Sequence, residues 1–140
     1  MTYLVDTNVI SELRKKHDAV DARVFAWADS VALELLHTSA MCLFELERGV
    51  LQRERKDPRQ GAVLRAWLDT RVRTAFAGRI LAVSDEVATY AARLHVPNPR
   101  PYVDTLIAAT AATHGLTLVT RNIADFEELG VDLLNPWAAR

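Results

Sequence analysis

Cysteine is almost absent from this sequence: Cys42 is the only one among 140 residues. A single thiol excludes an internal disulfide framework and a cysteine-rich zinc site, suits a reducing compartment, and reads as core filler. Lysine is scarce too, and all three, Lys15, Lys16 and Lys56, lie in the first half. A phospho-receiver or phosphatase arrangement that needs a lysine late in an α/β sheet therefore has no candidate. The five glycines form neither a phosphate-cradling loop before Lys-Ser/Thr nor a paired-glycine dinucleotide fingerprint. Long apolar runs are missing as well. The longest uncharged stretch, Thr105–Thr120, is broken at His114-Gly115 and falls short of the roughly 18 residues of a membrane span. No basic segment precedes Tyr3-Leu4-Val5, so no signal peptide is expected and the expected location is cytoplasmic. Seventeen basic against eighteen acidic residues leave a formal charge of −1, so any polyanion must be bound locally. His17, His37, His95 and His114 lack metal-ligand spacing and read as surface or core residues.

What is present is an ordinary globular composition, half apolar and a quarter charged, at a length that fits one domain spanning 1–140. Tyr3-Leu4-Val5 reads as a buried strand cut off by the polar Asp6-Thr7-Asn8. Helical patterning follows from Val9 to about Lys16 and again through Val20, Val24, Phe25 and Trp27, before a strand at 35–39. Helices at Met41–Gln52 and Val63–Phe76 are divided by an expected turn at Lys56–Gly61. Then come a strand at Arg79–Val83, a helix at Asp85–Leu94 and a proline-stiffened loop at Val96–Pro101. A helix at Asp104–His114, a strand at 116–119, a short helix at Ile123–Leu129 and a strand at Val131–Leu134 complete the pattern. Alternating strands and helices predict an α/β, three-layer domain with a mostly parallel central sheet covered by helices on both faces. Function in such sheets gathers at the carboxyl ends of the strands.

Carboxylates are the only coherent chemical set that this arrangement places there. Asp6 directly follows a buried strand, where a charge is costly unless paired, although capping of the next helix explains it equally well. Asp104 opens an apolar helix, and capping is again the simpler reading of it alone. Glu45 borders the buried stripe of its helix, and Gly49 one turn on either clears room for a ligand or permits close helix packing. Glu47 is expected to point away into solvent. Asp125 starts a short helix or joins the site. Such acids from separate segments would repel one another, and a divalent cation resolves the conflict. Mg²⁺ takes a few carboxylates, waters and phosphate oxygens, and can direct water onto a phosphodiester.

Four segments together resemble the PIN-domain toxins of the VapC and FitB type. They are Leu4-Val5-Asp6-Thr7-Asn8-Val9-Ile10, Glu45-Leu46-Glu47-Arg48-Gly49, Asp104-Thr105-Leu106-Ile107-Ala108-Ala109, and Leu118-Val119-Thr120-Arg121-Asn122-Ile123-Ala124-Asp125-Phe126. The resemblance implies a Mg²⁺- or Mn²⁺-dependent endoribonuclease with Asp6 and Asp104 as metal ligands and Glu45 and Asp125 completing a catalytic quartet. Thr7, Asn8, Thr120 and Asn122 become orienting groups, and an amide at Asn122 favours one firmly bound metal over two. Arg48 and Arg121 are the nearest candidates for RNA contact. The implied partners are RNA, a cognate antitoxin, a second copy of the chain, and DNA only through the antitoxin, with no membrane. Val24, Phe25, Trp27, Trp67 and Leu68 form either part of that protein interface or core. The competing reading is a PIN-fold binding subunit of an antitoxin–DNA complex with little turnover.

Overall fold

The opening apolar triplet forms strand β1 (Tyr3–Val5) in the computed structural model, which describes residues 1–138. Asp6 ends β1 and accepts the Thr7 amide hydrogen at 2.8 Å, starting helix α1 (Thr7–Leu13). Helix α2 (Ala22–Asp29) is capped by Asp21. A short 3₁₀ turn leads into β2 (Leu36–Ser39), and Ser39 caps helix α3 (Ala40–Lys56) through the Cys42 amide at 3.0 Å. Helix α4 (Pro58–Trp67) runs on through a π turn at Leu68–Val72 to α5 (Arg73–Ala75). Beyond lie β3 (Ile80–Leu81), α6 (Asp85–Leu94), α7 (Tyr102–Thr113), β4 (Thr117–Val119), α8 (Ile123–Phe126) and β5 (Leu133–Leu134). The last two residues of the expected domain, 139 and 140, lie outside the described residues.

All five strands pair in parallel, in the order β3-β2-β1-β4-β5. The expected α/β sheet is therefore present and wholly parallel. Successive residues of a strand face opposite ways. Leu4 and Leu118 pack with Ile107, Ala108 and Ala111 of α7 on one side, while Val5 and Val119 pack with Val9, Ile10, Val24 and Trp27 on the other. The chain winds outward from β1 in both directions, so the carboxyl ends of β1 and β4 form the switch point of the sheet, where such folds open a crevice. The Asp6 amide donating to the Val119 carbonyl at 2.9 Å joins the two strand ends there.

The expected turn at Lys56–Gly61 narrows to Asp57. Its carboxylate accepts the Gln60 amide at 3.2 Å, and Pro58 takes the first position of α4, where a missing N–H costs nothing. Gly61 lies inside α4 because the helix crosses α3 closely: a Cβ there would stand 2.4 Å from Glu54 Cα. Gly49 does not serve packing, since a Cβ there meets nothing within 4 Å. Of the apolar residues singled out for an interface, Val24, Trp27 and Leu68 belong to the core. Trp67 lines an open apolar groove of about 240 Å³ with Ile10, Leu13, Leu36 and Val72, and Phe25 is exposed against His17.

Candidate active site

Asp6 is the innermost acid of the switch point, with only 5% of its surface exposed. Its Oδ1 accepts the Thr7 amide hydrogen and faces the Cys42 thiol at 3.8 Å; its Oδ2 accepts from Thr120 Oγ1 at 2.8 Å and Asn8 Nδ2 at 3.3 Å. These donors fix the carboxylate's plane. The Thr7 hydroxyl donates to Glu45 Oε1 at 2.8 Å, so one residue ties the acid of α3 to the end of β1. Thr120 accepts the Asn122 amide hydrogen at 3.0 Å, and Asn8 Oδ1 accepts that of Arg121 at 3.2 Å, which folds the segment after β4 over Asp6.

Asp6, Thr7, Asn8, Glu45, Asp104 and Asn122 line one hollow of about 240 Å³ with Ile107. Asp104, in the first turn of α7, is partly buried and has no hydrogen-bond or ion-pair partner among the described residues. Asp125 lies exposed at the margin, outside the lining but near enough for its charge to act on both aspartates. Burial lifts the Asp6 carboxyl above its ordinary range against the pull of Thr120, Thr7 and Cys42, with Asp125 adding repulsion. Asp104 is also raised, by burial first and then by the charges of Asp125, Asp6 and Glu45. Four acids from distant segments thus meet in one field.

A group whose folded pKa is raised stabilises the fold when protonated and loses that contribution as pH climbs through the raised value. Without divalent ions the protein is therefore expected to become more stable as pH falls toward the ordinary carboxylate range, because the raised Asp6 and Asp104 take up protons in the folded state before the unfolded carboxylates do. The lowered acids Glu12, Asp21 and Glu47 oppose this only below roughly pH 4.5, where unfolded carboxylates titrate. Urea midpoints in EDTA over that fall in pH check it; a flat profile speaks against crowded acids.

The solvated Glu47 needs correction, and the structure gives Arg121, Arg48 and Cys42 their places. Glu47 is not solvated: it is paired with Arg65 at 2.9 Å and Arg73 at 2.8 Å, which hold its carboxyl below the usual range, Arg73 most strongly. The side of α3 opposite Glu45 faces α4 and the turn beyond it rather than water. The Arg121 guanidinium lies 5.2 Å from the Trp137 ring centroid, in a neighbouring hollow with Glu12, Lys15 and Arg23, while only its backbone joins the acid site. Arg48 stacks over Phe44 at 5.3 Å on the exposed face of α3. Cys42 is more than filler. Burial, then the nearby Asp6 charge, push its thiol to about 11, so it stays protonated and offers hydrogen to Asp6. Its one sequence signal is its place three residues after the helix cap Ser39. None of the four histidines lines the hollow; His95 instead bonds Thr105 at 2.9 Å, pinning the start of α7.

The ordered acids and the parallel sheet agree with comparison to known proteins, for residues 3–131 match the PIN domain model. The chain belongs to the PIN-domain family. Among PIN relatives it is 36% identical over 139 residues to the VapC ribonuclease Y4jK of Sinorhizobium fredii, with 96% of each chain covered. It is 37% identical over 147 residues to the toxin FitB of Neisseria gonorrhoeae, covering 96% of this chain and 97% of that one. A solved structure of FitAB bound to an IR36 DNA fragment superposes with a TM-score of 0.88 at 33% identity, covering 99% of this chain and 98% of that one. Among the described residues of this PIN domain, no helix is long and apolar enough to cross a membrane.

Proposed function

We propose that this PIN domain is the endoribonuclease toxin of a toxin–antitoxin pair, hydrolysing RNA phosphodiester bonds with the help of Mg²⁺ or Mn²⁺. The observation that carries the reading is the meeting of Asp6, Glu45 and Asp104 around one hollow at the switch point. Its relatives, a ribonuclease and a toxin, support it.

The donor set suits a hard dication. Asp104 is partly buried, repelled by three other acids and without a partner among the described residues, and every polar side chain in the lining offers oxygen. Among the described residues no three His, Cys, Asp or Glu side chains form a ready metal cage. Mg²⁺ keeps several waters and takes only one or two carboxylates beside substrate phosphate. Asp6 and Asp104 would hold the ion. Such an ion, when bound, supplies charge neutralisation for the phosphodiester and acidification of an attacking water.

The remaining work falls to the chain. Thr120, Asn8 and the Thr7 amide hold Asp6 in one orientation, which matters because partners of a ligand set its geometry. Glu45, held by Thr7, remains available to take a proton at the rim of the hollow. Asn122 lines the same hollow without adding charge, consistent with one firmly bound metal. Asp125 contributes negative potential from the margin.

The partner reading follows the same relatives: a cognate antitoxin, DNA reached only through it, and a second copy of the toxin. The groove beside Trp67 is an open apolar surface suited to an antitoxin segment. The test is cleavage of single-stranded RNA by antitoxin-free protein. Activity should vanish in EDTA and return with Mg²⁺ or Mn²⁺; tight antitoxin binding without cleavage under any divalent ion would reject the enzyme reading.

A further inference from the structure

Helix α3 carries more than Glu45. Phe44, Arg48, Leu51 and Arg55 follow at spacings of four, three and four, which places them on one stripe of the helix. All four are exposed, Phe44 by 49% and Leu51 by 57%. Large apolar side chains in such positions gain nothing for the fold. Arg48 lies over the Phe44 ring, and among the described residues neither Arg48 nor Arg55 is paired with a carboxylate. Arg23, Arg65, Arg73 and Arg100 are paired; among the described residues most other arginines are not, so what sets Arg48 and Arg55 apart is their place on one stripe with Phe44 and Leu51. Glu45 follows Phe44 directly and stands one helical turn before Arg48, so the stripe runs beside the hollow.

We propose that this stripe is the track along which single-stranded RNA reaches the acidic hollow, with a base stacked on Phe44 and flanking phosphates on Arg48 and Arg55. The proposal rests on the ribonuclease reading and adds the residues that hold the substrate outside the reacting centre. Its physical basis is complementarity. A cluster of carboxylates repels a polyanion until cations along the approach offset the field. An exposed ring beside free guanidinium groups is the pairing that holds single strands without reading their sequence.

Fluorescence anisotropy with a short labelled single-stranded RNA, measured in EDTA so that no cleavage occurs, tests the track. Phe44→Ala should weaken binding about tenfold, in line with loss of one stacked base, and Phe44→Trp should restore it. Arg48→Ala with Arg55→Ala should lower the slope of log affinity on log salt by about 1.4, two phosphate contacts at roughly 0.7 each. Affinities within twofold of wild type in all three variants, or no binding by wild type, overturn the track. So does a change of oligomeric state on Arg48→Glu while RNA affinity holds, which would mark the stripe as a protein interface. Failure of metal-dependent cleavage alone overturns the ribonuclease reading and leaves the binding result standing.

Discussion

Asp104→Asn is expected to abolish divalent-metal-dependent RNA cleavage while raising the thermal stability of the metal-free protein. The two effects have one cause. Asp104 is a partly buried carboxylate without a partner among the described residues, and Asp125, Asp6 and Glu45 all repel it. Removing its charge relieves that repulsion, and the amide is of nearly the same size. Activity moves the other way, because the ion that those charges would attract supplies several kcal/mol of transition-state stabilisation, and losing about 4 kcal/mol is roughly a thousandfold in rate. Asp6→Asn should cost as much activity without the same gain in stability. Each Asp6 oxygen receives donors, from Thr7, Thr120 and Asn8, so an NH₂ group must face one of them. Initial cleavage rates with Mg²⁺, and Tm measured separately in EDTA, compared for the two variants, check the pair. Full activity in Asp104→Asn would remove that residue from the mechanism.

Gly61→Ala should destabilise the fold by roughly 2 kcal/mol or more, and Gly49→Ala should stabilise it by up to about 1 kcal/mol, although both replace a helical glycine. Alanine gains about 1 kcal/mol of helix propensity at either place. At Gly61 the new methyl would meet Glu54 Cα at 2.4 Å and Glu54 N at 2.7 Å. These are backbone atoms that move only if α3 and α4 separate, and overpacking of this kind typically costs 1–3 kcal/mol, occasionally more. Separation would also loosen Arg65, which spans from α4 to Glu47 and Glu54 of α3. At Gly49 the methyl meets open space. Urea unfolding midpoints for the two variants should shift in opposite directions; equal shifts would deny the close crossing of α3 and α4.

The same pair of glycines marks where sequence reading succeeds and stops. Periodicity placed α6 at Asp85–Leu94 as observed, and the short apolar runs of β1 and β4 were legible because both are buried on two faces. The acids after those strands followed from chain order alone. What a helix packs against was not legible. Lys56–Gly61 is polar, with proline and glycine, and reads as a turn, yet Asp57 suffices to reverse the chain and Gly61 serves a crossing visible only in three dimensions. Glu47 looked solvated because it lies away from Glu45; its actual neighbours, Arg65 and Arg73, are 18 and 26 residues on. Arg121 sits beside Asn122 in sequence, but its side chain leaves the site because Trp137 offers a ring. Cys42 acquires its contact with Asp6 from a separation of 36 residues.

Calorimetric titration of Mn²⁺ into the metal-free protein addresses the convergence of acids most directly. Saturable binding at one site by the wild type, lost in both Asp6→Asn and Asp104→Asn, is the predicted result. Binding that survives intact in either variant would contradict a shared ion held between the end of β1 and the start of α7.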